Sequence, residues 1–207
     1  MHMTVDARPQ TLPFSIENAF TDRIEGGNPA AIVRVPSLTA LPDATLQSIA
    51  TSFNQPITVF VAPHEADSPG TATFGIRWFT PETELRICGH GTLAAAAAMF
   101  RGAKGTQGVT TIRYEAPTGK FLVARQVEDS CIEIDLDAER AEALMGAEDA
   151  HLREVLVRAL GKDVRVKYTG RGSTHLDNYA LIEVDTHDLK SLKVDTDALV
   201  SLHLVCS

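Results

Sequence analysis

The sequence lacks most of what marks a metal, redox or nucleotide site. It has three cysteines, at positions 88, 131 and 206, an odd number with no CxxC pair. Reduced thiols are therefore expected rather than a disulfide framework. Its seven histidines occur without HExxH or a Cys/His cluster, so the spacing offers no zinc centre. Gly26 and Gly27, and the run Gly170-Arg171-Gly172, match neither GxGxxG nor GxxxxGK, and both read as backbone turns rather than phosphate loops. No basic run exceeds two residues against a formal charge of −8, which argues against nucleic acid as a partner. Apolar runs end near ten residues, short of the roughly 20 that span a bilayer. The opening MHMTVDARPQ has no apolar signal-peptide core. A soluble, cytoplasmic protein is expected.

What is present is ordinary globular material. With 207 residues, 44% hydrophobic and 22% charged, the chain is long enough to bury a sizeable core as one domain or as two lobes sharing one. Strand-like runs, each bounded by Gly, Pro, Asn or Asp, fill the first two thirds. They are Pro13 to Ala19, Ala30 to Val35, Ile57 to Ala62, Ala72 to Phe79, Val109 to Tyr114, Lys120 to Gln126 and Cys131 to Leu136. Between them, Asp43 to Phe53 places Leu46, Ile49, Ala50 and Phe53 on one helical face, with Pro42-Asp43 as its expected cap.

The stretch Glu84 to Phe100, ELRICGHGTLAAAAAMF, is different. Cys88, Gly89 and His90 stand at the head of a segment, Thr92 to Phe100, that carries no charge and no polar face. Such a helix has to be buried on all sides, and a curved sheet closed around small alanines achieves that. Its start offers free N–H groups and the positive end of a dipole, which suit a ligand carboxylate.

After Asp137 the pattern changes. Ala147 to Leu160 repeats apolar residues at helical spacing and stops at Gly161. Strands over Val164 to Tyr168 and Tyr179 to Val184, then a short helix over Thr196 to Leu202, are expected. These elements make only part of a second lobe, so its strand edges need cover. Either a partner chain supplies it or the lobe is cut short.

Three stretches carry a resemblance: GGNPAAIV at 26–33, FNQPITVFV at 53–61 and RWFTPETELRICGHGTLAAAAAMF at 77–100. They resemble the PhzF-like family of phenazine-biosynthesis-like isomerases and epimerases, strongly over residues 12–140 and more weakly beyond. The resemblance implies an α+β fold like that of diaminopimelate epimerase, a β-barrel enclosing a central helix in each of two similar halves, with the active site in the cleft between them. On that reading residues 1–138 form the first lobe, around a helix over 90–101, and residues 139–207 a partial second lobe. It also implies a homodimer acting without metal or organic cofactor on a small carboxylated or cyclic metabolite, in secondary metabolism.

Residue by residue, Gly89 and His90 match the family's Gly-His at the start of the central helix, and Asn28-Pro29 its Asn-Pro turn. The family's catalytic glutamate lies in Asn-x-Ser-Glu-Thr-x-Phe-Val. Here that pattern reads Asn54-Gln55-Pro56-Ile57-Thr58-Val59-Phe60-Val61, so isoleucine occupies the position of the proton-shuttling acid. The second half's Glu-Asp-Pro-Val-Thr-Gly-Ser-Ala-His segment does not occur in these 207 residues. His90 and the Ile57 position are the candidates for catalysis, and Asn28, Pro29, Thr58, Cys88, Gly89, Gly91 and Thr92 for substrate binding.

Each has a plainer alternative. His90 also fits a structural residue at a helix start, and Cys88 a packed thiol, since no second cysteine shares its Cys-Gly context. Glu82 and Glu84 are either solvated loop carboxylates or replacements for the missing acid. Three functions follow: a cofactor-free isomerase, a degenerate ligand-binding or assembly protein that keeps the fold, or a cyclase or rearrangement enzyme with a reshaped pocket.

Overall fold

The apolar runs of the first two thirds pair into one sheet. The computed structural model describes residues 11–23, 25–64, 69–102, 108–127, 131–136, 140–172, 179–189 and 191–200. It divides into two units, residues 1–136 and 137–207. In the first unit the elements are β1 (Phe14–Ala19), β2 (Asn28–Arg34), α1 (Asp43–Phe53), β3 (Thr58–Pro63), β4 (Thr71–Phe79), β5 (Glu84–Leu85), α2 (Gly89–Gly102), β6 (Thr111–Glu115), β7 (Phe121–Gln126) and β8 (Ile132–Asp135).

These strands form an eight-stranded mixed sheet in the order β1-β2-β3-β4-β6-β7-β8, with β5 pairing on β4. Two neighbouring pairs are parallel, β2 with β3 and β4 with β6, and each is joined by a connection that contains a helix. The other pairs are antiparallel. The sheet curls into a half-barrel around α2, which packs against β1, β2, β3, β7 and β8.

Strands β2, β3 and β4 are covered on both faces, so consecutive residues along them are buried instead of every second one. Ile32, Val59, Val61, Phe74, Ile76 and Trp78 face the α2 side of the sheet. Val33, Val35, Phe60, Ala62 and Phe79 join Leu46 and Ala50 of α1 in a second cluster on the other side. Helix α2 buries Ala94, Ala95, Ala96, Ala98 and Met99, and Leu93, Ala97 and Phe100 are part-buried, so no residue of its alanine-rich body is exposed. Small side chains let the strands approach the helix axis on all these sides.

The second unit contains β9 (Glu142–Ala143), α3 (Gly146–Leu160), β10 (Val166–Arg171), β11 (Ala180–Val184) and α4 (Thr196–Val200). The strands make an antiparallel sheet in the order β11-β10-β9. Helix α3 buries Leu152, Val155, Leu156 and Ala159, and Gly161 ends it with a φ of 87° and an N–H bond to the Val157 carbonyl.

The structure departs from the sequence expectations at several points. The two-residue strands β5 and β9 have too few residues to show a period. Gly170 and Arg171 lie inside β10, paired with Leu181 and Ala180, and form no turn. Asn28 and Pro29 likewise open β2 instead of making a turn, opposite Ala19 and Asn18. No side chain caps α1: Asp43 is its first residue and bonds Arg77, while the Pro42 carbonyl accepts from Thr45 and Leu46. Residues 201 and 202 of the expected last helix, the expected boundary at 138 and 139, and Cys206 lie outside the described residues.

Candidate active site at the start of helix α2

Several chain segments converge on the end of the half-barrel where α2 begins. Strands β2 and β3 run parallel with Ala31 opposite Thr58, and Ala31 N–H bonds the Ile57 carbonyl at 3.0 Å. Asn28, Pro29 and Ile57 therefore enter the sheet at the same end. Gly91, in the first turn of α2, lies against Val59 of β3 and Trp78 of β4, so the helix start is at that end too.

Glycine is required at two places here. A Cβ on Gly91 would stand 3.0 Å from Val59 Cγ2, 3.1 Å from Trp78 Cδ1 and 3.3 Å from Cys88 Sγ, too close in a closed core. Gly27 has a φ of 80°, and a Cβ on it would fall 2.2 Å from the Ala19 carbonyl oxygen. It lets the chain turn into Asn28 without a side chain in the way.

The helix start is fixed by hydrogen bonds. Trp78 Nε1–H donates to Thr92 Oγ1 at 3.2 Å, and Thr92 Oγ1–H donates to the Cys88 carbonyl at 2.8 Å. The backbone N–H groups of Gly91 and His90 lie close enough to the Cys88 sulfur to favour its charged form. Cys88 Sγ lies 3.4 Å from His90 Nδ1. The other ring nitrogen, Nε2, is buried without a hydrogen-bond partner. Burial pushes the Cys88 thiol above its ordinary pKa, against the pull of those two N–H groups. Burial also holds the His90 imidazole below its ordinary value. Both groups are thus kept neutral.

The remaining candidates have differing surroundings. Ile57 is 1% exposed and belongs to the cluster around α2. Thr58 is fully buried, and its hydroxyl has no partner. Thr92 is also fully buried, and its hydroxyl is occupied by Trp78 and Cys88. At Gly89 an added Cβ would meet only Leu136, at 3.3 Å. Of the two expected loop carboxylates, Glu84 lies instead in β5 and grips Arg77 with both oxygens at 2.7 Å, and Arg77 also reaches Asp43. This triad ties α1 to β4 and β5. Glu82 donates its backbone N–H to Thr80 Oγ1 at 3.1 Å, part of a tight turn that Gln47 and Thr51 of α1 hold through the Thr80 and Pro81 carbonyls.

Sequence reasoning missed Trp78 and Arg77 as supports of this site. A buried indole does need an acceptor for its N–H, but nothing in the sequence says that Thr92 provides it. Among the described residues no group of three His, Cys, Asp or Glu is placed to hold a metal ion, and no helix is long and apolar enough to cross a membrane.

A mixed sheet curled into a half-barrel around a buried helix is an α+β architecture, and its structural neighbours are PhzF and epimerase-like folds. The family described as phenazine biosynthesis-like protein, PhzC-PhzF, matches residues 17–198, and the chain belongs to it. It is 35% identical over 196 residues to the mouse phenazine biosynthesis-like domain-containing protein 2, covering 92% of this chain and 64% of that protein. An uncharacterized isomerase of Halalkalibacterium halodurans is 30% identical, with 88% of this chain and 61% of the isomerase covered. A PhzF-family crystal structure from Enterococcus faecalis superposes with a TM-score of 0.67 at 24% identity, over 93% of this chain and 65% of that one. A structure of a predicted epimerase from Pseudomonas aeruginosa gives 0.58 at 21%, over 92% and 62%. The chain spans less than two thirds of the length of each of these relatives.

Proposed function

We propose that the chain is an isomerase-type member of its family that binds a small carboxylated or cyclic metabolite at the start of α2 and acts without a cofactor. The observation that carries this reading is the Cys88-Gly89-His90 arrangement, where two neutral side chains and the N–H groups of a helix start meet the entry of β2 and β3. A helix start favours an anionic oxygen, and an imidazole beside it supplies a hydrogen bond or a proton. Secondary metabolism is the setting that the family name suggests.

A second reading, ligand binding without proton transfer, is favoured by Ile57. A positioned carboxyl contributes on the order of 100-fold to 10,000-fold to proton transfer, and isoleucine contributes none. Incubation in heavy water with a dihydro-hydroxyanthranilate-type carboxylate separates the two. Deuterium entering carbon, and lost in His90→Ala, establishes the isomerase. Binding without exchange, weakened by about 1 to 2 kcal/mol in His90→Ala, establishes the second reading. No binding at all defeats both.

Self-association belongs to the same proposal. Edge strand β1 exposes Phe14 and Ile16 by 54% and 52%, an apolar edge of the kind that pairing covers. Sedimentation of a stable monomer at low micromolar concentration counts against it.

A further inference from the structure

We infer that the α1 side of the first unit is the contact surface between two copies of this chain, with the two α1 helices packed across a two-fold axis. This rests on the reading of the chain as self-associating, and it names the face that does so.

Residues directly opposite in a ladder share one face of the sheet. Phe14 stands opposite Val33 and Ile16 opposite Ala31, and Val33 belongs to the cluster under α1. Both exposed side chains therefore lie on the α1 side. The Phe14 ring meets that of Phe53, in α1, at a centroid distance of 4.9 Å, which joins strand and helix into one surface. Beside this contact α1 carries an open hollow of about 450 Å³, lined by Thr45, Ser48, Ile49, Ser52 and Phe53.

Charge says what covers this surface. The one charged residue of α1 is Asp43, held by Arg77. Glu17, the charged residue of β1, stands opposite Ala30 on the α2 side and pairs with Arg101. In a chain of formal charge −8, two copies repel over much of their surface, and a face without charge is where they meet at least electrostatic cost. A basic partner would instead be drawn to acidic side chains, which this face lacks. The face is also ready to lose water. Ser48 Oγ–H donates to the Ala44 carbonyl and Ser52 Oγ–H to the Ser48 carbonyl, each at 2.8 Å. Two of the three hydroxyls in the hollow thus keep a partner when covered, so drying them strands no donor. Finally, the patch holds both shapes that a two-fold contact needs: Phe14 and Ile16 stand out to solvent, and the small residues of α1 leave the hollow. A two-fold axis sets the projection of each copy against the hollow of the other.

The test is sedimentation equilibrium of the full chain over a range of concentrations. The wild type is expected to be a dimer that dissociates on dilution. Ser48→Arg and Ser52→Arg each put a long cation where the hollow has to be filled. Arginine is well accepted at an exposed helix position, so both variants should match the wild type by circular dichroism. Each is expected to weaken the dimer by at least about tenfold, because the buried cation has no counter-charge on a neutral face. Ser48→Ala keeps the hollow and should leave the dimer unchanged. A wild-type dimer whose dissociation constant is the same in both arginine variants overturns the inference and leaves self-association to another face. A wild-type monomer at every concentration overturns the self-association reading itself, so the two failures are distinct. Should neither arginine variant fold, amide NMR of the wild type across the same dilution decides. Shifts centred on residues 14–16 and 45–53 support this face, and shifts confined to other segments overturn it.

Discussion

The indole N–H of Trp78, on β4, meets the hydroxyl of Thr92, in the first turn of α2, at 3.2 Å, and the same hydroxyl bonds the Cys88 carbonyl at 2.8 Å. All three residues are buried. One oxygen thus joins the sheet to the helix and to the residue that precedes it.

Thr92→Val keeps the shape of this junction and removes the oxygen. Trp78 N–H is then a buried donor without an acceptor, and a loss of about 1 to 3 kcal/mol of stability is expected. Thr92→Ser removes a methyl group and keeps both bonds, so its loss is expected to stay near 1 kcal/mol. Urea unfolding of both variants checks the contrast. Equal midpoints would show that the hydrogen bonds, as opposed to the packing, are not what holds the helix start.

Ala96 is fully buried in the middle of α2. Strands lie on several sides of the helix, and a leucine there has no solvent to point into. Ala96→Leu is expected to cost about 1 to 3 kcal/mol through overpacking. A melting midpoint equal to that of the wild type would mean that the half-barrel has slack around the helix.

Much of this fold was legible because burial imprints a period on the sequence. The strands read as β-rich runs bounded by Gly, Pro, Asn or Asp, and α2 as a segment without a polar face. The order of the strands was not legible. Which strands pair, and in which direction, is decided by crossovers over α1 and α2, and a run such as Ile57 to Ala62 carries the same pattern in either. At the site, Cys88 and His90 were visible as residue types at a helix start, two positions apart, but their contact depends on the backbone turn between them. The partnership of Trp78 with Thr92 spans 14 positions and two elements, and no local pattern announces it.

Asp149, in the first turn of α3, accepts from the Thr169 hydroxyl and from Arg153 Nε, the latter at 2.9 Å. These bonds, the Thr169 one first, hold its carboxyl below the ordinary value of 3.8. A carboxyl whose folded pKa is depressed contributes stability above its unfolded value, and the contribution is lost as pH falls through the folded one. The amides of Val155 and Leu156 in α3 are therefore expected to lose hydrogen-exchange protection as pH drops below about 4. Asp149→Asn should start with less protection at neutral pH and change less over that window. Identical acid profiles for the two proteins would show that the carboxylate adds nothing to the second unit.

Ile57 decides how far the family's chemistry can be restored in this chain. The resemblance read from the sequence aligns it with the family's acid, yet it is 1% exposed and packed in the cluster of Val59, Trp78 and the α2 alanines. Ile57→Val removes one methyl group from that cluster and should cost about 0.5 to 1.5 kcal/mol. Ile57→Glu puts a carboxyl into the same apolar volume, where the charged form is disfavoured and the pKa of the new group rises. A raised carboxyl pKa is a stability contribution that fades as pH increases. The variant should therefore be less stable than the wild type at every pH, and the deficit should be larger near pH 8 than near pH 5, by roughly 1 kcal/mol or more if the shift exceeds about one and a half units. Urea midpoints at the two values measure this. The same variant is expected to give at most weak deuterium exchange into a dihydro-hydroxyanthranilate-type carboxylate, because an acid sealed against the helix cannot reach a bound carbon. Strong exchange, with a deficit independent of pH, would show that position 57 opens to the ligand, and that a single substitution is all that separates this chain from proton-transfer catalysis.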